Sequence, residues 1–425
     1  MSAFETAHQH LLEFAGGVPT VDTHEHLPAE AIRVAQPVDF TILFSHYCRG
    51  DLQAAGMPPA DLQTLYDHAT PLDKKWALFE PWYDLIQDGS YARAAHLAMA
   101  RFYGRERLTS LEDAQAVSQA IQANNTPGLY TRVLKEACGL VKSMNFGSLE
   151  DDPSFFAPVI NINHYAEASP QTLKGLEAKY NRDLARLDLY LEAVHDDLVE
   201  FKSRGMKGLK THCAYMRDLH FAPRTQAEAE GVFNRIVEEG YGWRFTAIGY
   251  EEARPLQDFI VHRMAEWAAE LDLPFVIHSA LQADVHHRED NAKPLGLWNL
   301  IERYRHTDFV LLHSGLPWME EACLLAKHYE NVYLDMAWDH IMSPELSTRA
   351  VRYFVDLVPK NKVFGFGGDF GVVEKVYGHL TMAREDLSRA LAHKVAAEGM
   401  PLARAESWLT AMLHDNPVRV FRLGV

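Results

Sequence analysis

Two imidazoles stand two residues apart in Val-Asp-Thr-His-Glu-His-Leu, residues 21–27. The run Val18 to Thr23 reads as a strand. Side chains on an extended chain alternate faces, so His24 and His26 point the same way. Two neutral imidazoles converging on one point can hold a zinc ion, each nitrogen at about 2.0–2.1 Å. His8 and His10 share the spacing but sit in a helix-like segment, where residues two apart diverge by about 200°. Single polar residues close several later apolar runs. They are Lys210 in Gly-Leu-Lys-Thr-His, His278 in Phe-Val-Ile-His-Ser, His313 in Val-Leu-Leu-His-Ser-Gly and Asp369 in Gly-Phe-Gly-Gly-Asp-Phe-Gly. Gathered in one place, these side chains are the parts of a metal-dependent catalytic centre.

The elements that would gather them are short apolar runs separated by longer helical stretches, the pattern of a parallel α/β fold. After Val18 to Thr23 come Gly139 to Met144, Pro158 to Asn163, Gly208 to His212 and Pro274 to His278. Phe309 to His313, Val332 to Met336 and Val363 to Gly367 complete the set. Eight such runs match the strand count of a TIM-type (β/α)8 barrel, whose strands all point their C-terminal ends at one mouth. Residues at about 35–135 read as a helical insertion after the first strand, since a bare connection needs far fewer. Within it Trp76, Phe79, Trp82, Tyr83 and Leu85 suggest an apolar face. Helical stretches also fill Ser169 to Ser203 and Thr225 to Trp267. Nothing marks a linker or a repeat, so residues 1–425 read as one barrel unit. Asn416-Pro opens a last helix, expected to close the barrel from outside.

At such a mouth His24, His26, His278, His313 and Asp369 would form a ring. A catalytic zinc takes about three protein ligands and leaves a position for water, whose pKa falls to about 7. A neighbouring carboxylate can accept the proton and return it to the leaving group, and Asp369 is placed for that.

The set resembles the amidohydrolase superfamily: an early His-x-His, a lysine on the fourth strand, single histidines ending the fifth and sixth, and an aspartate ending the eighth. The ending Asn416-Pro-Val-Arg-Val-Phe is similar to the close of its amidohydrolase-related branch. The insertion and Lys210-Thr-His-Cys-Ala-Tyr-Met-Arg-Asp-Leu resemble enzymes related to the hydrolase-like domain fused to some glutamine synthetases. Uronate isomerases share the superfamily and a comparable insertion. The resemblance implies that His24, His26 and Asp369 ligate the metal, with His278 a further ligand or near neighbour. It implies that His313 polarises the substrate or orients water. Lys210 either bridges two ions as a carboxylated lysine or stays a cation that binds substrate. Tyr215 and Arg217 are candidates for a substrate carboxylate, since the guanidinium fork suits one. Related chains put the arginine directly after the tyrosine, and here Met216 intervenes. Trp338 is a further candidate for the pocket, with Asp339 and His340 beside it; His212 shares the face of Lys210. His286 and His287 read as a solvated loop.

The expected cofactor is a divalent metal, zinc before manganese, iron or nickel, with one ion favoured over two. The expected reaction is attack by a metal-activated water on an amide, ester or lactone of a small, carboxylate-bearing molecule. The alternatives are aldose–ketose isomerisation of a uronate and non-oxidative decarboxylation or hydration of an unsaturated or aromatic acid. A barrel reduced to a structural subunit fits less well, because every position of the ring is filled.

Composition narrows the partners. A net charge of −17, from 41 Lys+Arg against 58 Asp+Glu, argues against nucleic acid, and no basic run offers a patch. Cys48, Cys138, Cys213 and Cys323 are scattered, which suits a reducing cytoplasm. The N-terminus lacks the pattern of a signal peptide, and no apolar run approaches the roughly 18 residues of a membrane span. Asp369-Phe-Gly imitates a kinase metal motif, but the accompanying kinase motifs are missing. The expectation is a cytoplasmic enzyme with a small-molecule substrate and no nucleic-acid or membrane partner. The aromatic insertion suits a homo-oligomer.

Overall fold

The computed structural model describes residues 2–146, 152–238 and 249–425. Eight parallel strands lie in sequence order. They are β1 (Thr20–Glu25), β2 (Leu140–Phe146), β3 (Phe156–Asn161) and β4 (Gly208–Thr211), then β5 (Phe275–His278), β6 (Phe309–Leu312), β7 (Val332–Asp335) and β8 (Val363–Phe364). The sheet curls until its two edges meet: Thr23 N donates to the Phe366 carbonyl at 3.2 Å, and Asp369 N to the His24 carbonyl at 2.7 Å. The result is a TIM-type barrel, with each strand within a few residues of its expected place.

Strands of four residues buried throughout, as β4 to β7 are, need apolar residues on both faces. Leu209, Phe275, Ile277, Phe309 and Leu311 join the cluster shared with the surrounding helices. Val276, Val310 and Leu312 join Val21, Val159 and Phe364 in a separate inner cluster. This alternation carries the site, because His278 shares the inner face of Val276, and Lys210 lies opposite Leu209. Val420, Phe421 and Leu423 belong to the inner cluster. The C-terminal segment therefore plugs the barrel rather than closing it from outside.

The insertion comprises helices Glu30–Ala35, Tyr47–Ala54, Pro59–Tyr66, Leu72–Ile86, Ser90–Tyr103 and Leu111–Asn124, with a short 3-10 helix at Phe40–Phe44 and a π-helix at Thr131–Ala137. It has an apolar cluster of its own, in which Phe40, Phe44, Trp76, Phe79 and Tyr83 are buried. Trp76, Phe79 and Tyr83 follow the helical stripe. Trp82 is only half-buried, and Leu85 is 65% exposed, because both lie off that stripe. Among the described residues no helix is long and apolar enough to cross a membrane.

Candidate metal centre

His24 lies on β1 and His26 one residue beyond it, while Asp369 sits on the loop after β8. Their ligating atoms converge. His24 Nε2 and His26 Nε2 are 3.1 Å apart, and each is 3.3 Å from Asp369 Oδ1. Among the described residues this is the group of three such side chains with all ligand atoms within 4.8 Å. The His24 and Asp369 side chains are almost fully buried, whereas that of His26 is 45% exposed, so the centre opens to solvent on the His26 side.

Burial lowers the His24 pKa well below its usual value, and Lys210 lowers it further, which keeps the ring neutral. Burial alone would raise the Asp369 pKa, but its contacts with His24 and His26 hold it well below the usual carboxylate range. An imidazole pair with an ionised carboxylate is a donor set that a borderline divalent cation such as zinc accepts. The residues fit a metal.

His278 ends β5 and His313 follows β6. His313 Nδ1 is 2.7 Å from the Ala337 carbonyl, and His278 Nε2 is 3.1 Å from the Leu281 carbonyl. A carbonyl only accepts, so those two nitrogens carry the protons. The remaining nitrogens, His313 Nε2 and His278 Nδ1, then face each other as lone pairs at 3.0 Å. Two facing acceptors need a proton or a cation at hand. His313 Nε2 also lies 3.9 Å from Asp369 Oδ2. In this tautomer His313 accepts hydrogen bonds at the site, which suits orienting water better than donating to an oxyanion.

Lys210, on β4, is buried with Nζ 4.8 Å from the centre of the Phe146 ring. Burial brings its pKa down to about 7, against the upward pull of Asp369 and Asp335. Tyr215 stands beside the centre, its ring 4.9 Å from that of His278, and its hydroxyl accepts from Ala283 N. Trp338 meets His313 edge-on at 5.4 Å.

Arg217 is not brought to this group. Its guanidinium is buried and donates to Asp258 Oδ1 at 2.7 Å, to Gln257 Oε1 and to the His220 carbonyl. The guanidinium expected to meet a substrate carboxylate thus already pairs with an acid on the helix Tyr250–Glu270. His340 likewise turns behind the barrel, to Asp386 and the Gly365 carbonyl. His8 and His10 make surface pairs with Glu385 and Glu406. His286 is exposed, and His287 packs edge-on against Tyr215.

The insertion supplies a wall that the sequence did not announce. The Tyr47 ring stacks on Trp338 at 4.5 Å, and burial together with the adjacent Asp369 charge pushes its phenol well above the usual pKa. His46, just before it, holds φ 58° and ψ −123°, a conformation that strains any residue with a Cβ. Neither position lies on an apolar run ending in a polar residue, so no spacing signal could have found them.

A family model described as amidohydrolase matches residues 202–423, just over half of the chain. The chain belongs to the amidohydrolase family. The fluG protein of Emericella nidulans is 33% identical over 166 residues, which make up 37% of this chain and 18% of fluG. The match thus spans less than a fifth of that relative. Solved structures share the fold over nearly the whole length. The uronate isomerase of Thermotoga maritima has 15% identity and a TM-score of 0.79, covering 98% of this chain and 97% of its own. The glucuronate isomerase of Caulobacter crescentus has 17% identity and a TM-score of 0.79, covering 100% and 95%. A Lactobacillus casei protein described as a metal-dependent hydrolase has 19% identity and a TM-score of 0.69, covering 97% of both chains. With coverage this complete, the insertion belongs to the shared architecture.

Proposed function

We propose that this amidohydrolase is a metal-dependent hydrolase of small, carboxylate-bearing amides, esters or lactones. The observation that carries the reading is the double-facing carboxylate of Asp369, with one oxygen toward His24 and His26 and the other toward His313. A divalent cation held by His24, His26 and Asp369, zinc by preference, would supply the acidity that makes water a nucleophile near neutral pH. Asp369 accepts a proton from the attacking water on its free side and returns it to the departing nitrogen or oxygen. His313 Nε2 accepts a hydrogen bond from that water and sets its direction. With Arg217 committed to Asp258, Lys210 supplies the cation for the substrate's carboxylate or the developing oxyanion. One ion per chain is expected. Two would make Lys210 a carboxylated bridge, with His278 and His313 turned to the second ion.

Uronate isomerisation is a second reading, favoured by Tyr47. Its hydroxyl beside Asp369 sets two proton carriers together, as proton transfer between adjacent carbons requires. Two proteins of the same fold are by name a uronate isomerase and a glucuronate isomerase. The readings separate by product mass in heavy-oxygen water. With carboxylate-bearing amides, esters, lactones and uronates as substrates, hydrolysis adds one labelled oxygen. An unchanged mass would shift the assignment to isomerisation, and loss of carbon dioxide would shift it to decarboxylation.

A further inference from the structure

We propose that Asp22, Glu25 and His379 form a clamp that holds Asp369 in its ligating position, which makes them positioning residues of the metal site. The inference rests on reading His24, His26 and Asp369 as that site.

Three consecutive amides of the loop after β8 are taken up by β1. Gly368 N donates to Asp22 Oδ1 at 3.0 Å, Asp369 N to the His24 carbonyl at 2.7 Å, and Phe370 N to Glu25 Oε2 at 2.8 Å. On the far side His379 Nδ1 donates to the Gly368 carbonyl at 2.9 Å. The peptide that carries one ligand is thus gripped on both flanks, largely by the strand that carries His24 and leads into His26. Asp22 Oδ1 also accepts from His24 N at 3.2 Å, so one oxygen ties the first ligand to the third.

The grip answers a specific need. Asp369 holds φ 55°, a left-handed conformation that costs an L-residue roughly 1–2 kcal/mol and persists only where its surroundings over-determine it. Asp22 and Glu25 are fully buried, and among the described residues neither pairs with a lysine or arginine. Burying carboxyl groups is unfavourable unless they are hydrogen-bonded. Main-chain amides of β1 and the β8 loop supply bonds to Asp22 Oδ1 and Glu25 Oε2. Burial raises both pKa values, and contact with Asp22 raises that of Glu25 further. The fit is close: a Cβ on Gly368 would lie 1.7 Å from Glu25 Oε1, so the glutamate rests on bare backbone.

The test is Zn²⁺ affinity by competition with a chromophoric chelator, on chelator-stripped protein whose fold is checked by near-ultraviolet circular dichroism. A purely structural role would lower the melting temperature and leave the affinity of the folded protein unmoved. Glu25→Ala is expected to weaken binding about 10- to 100-fold, and His379→Phe about 10-fold. Glu25→Gln should stay within about three-fold of the parent, because its amide oxygen still accepts the Phe370 N–H. Parental affinity in folded Glu25→Ala and His379→Phe would overturn the clamp. So would a Glu25→Gln as weak as Glu25→Ala, since charge rather than the amide bond would then be responsible. If Glu25→Ala does not fold, His379→Phe decides alone: weakened binding supports the clamp and parental binding overturns it. A parent chain that takes up no Zn²⁺ overturns the metal site and the clamp with it, and the parental titration by itself tells that failure from the others.

Discussion

At the barrel mouth Asp22, His24, Glu25, Lys210, His278, His313, Asp335 and Asp369 are all buried, and His313, Ser314, Trp338 and Asp369 hold left-handed φ values. In the helical insertion beside it, Phe40, Phe44, Trp76, Phe79 and Tyr83 fill the core, with neighbouring ring centroids 5.2–6.3 Å apart. The mouth accumulates what folding disfavours: desolvated ionisable groups and strained backbone. The insertion accumulates what folding rewards, packed apolar area. Chemistry and stability are thus assigned to different residues, and Tyr47 is where the two regions touch. The two regions should therefore respond separately to mutation.

The separation can be broken from either side. Asp369→Asn keeps the shape of the side chain and removes its charge, so turnover should fall about a thousand-fold. Its urea midpoint in the metal-free state should move far less than that of an insertion core variant. Phe79→Ala is that variant. The ring is fully buried, so urea denaturation should register a loss of about 3–5 kcal/mol, with metal content per chain unchanged.

Acid should probe the insertion through His96, whose Nε2 lies 2.7 Å from the Tyr83 hydroxyl. Burial lowers its pKa to about 4, while an unfolded histidine titrates near 6.5, roughly. Between those values the unfolded chain takes up a proton that the folded ring refuses. Stability therefore falls as pH drops from about 6.5 to 4 and is indifferent to this group above that window. The loss is on the order of 3 kcal/mol and should be missing from the melting profile of His96→Gln. The smallest effect is expected at the junction: Tyr47→Phe should lower turnover about 10-fold without changing metal content. A larger fall with the same metal content would favour the isomerase reading, in which this hydroxyl carries a proton.

The same division explains what could be read from the sequence. His24, His26, Lys210, His278, His313 and Asp369 each end or follow a short apolar run, and a parallel barrel sends all such ends to one mouth, so position along the chain was enough to gather them. Arg217 sits just beyond the same kind of run but turns away. Its direction is set by Asp258, 41 residues further on, and no local pattern encodes that pairing. Tyr47 and His46 were hidden because a helical insertion announces its buried face and says nothing of the residues at its edge. Leu85 shows the converse limit: counted with the aromatic stripe, it lies off the helical period and faces solvent. Asp22 and Glu25 were in view throughout, on either side of His24, but their partners are main-chain amides of the β8 loop, which carry no side-chain signature.

The most direct test of the account is metal content per chain by plasma mass spectrometry, on protein purified without added metal or chelator, for the parent and His24→Ala. About one equivalent is expected in the parent, with its loss in the variant. A parent that stays empty after supplementation, or a His24→Ala protein that retains the full equivalent, would contradict it.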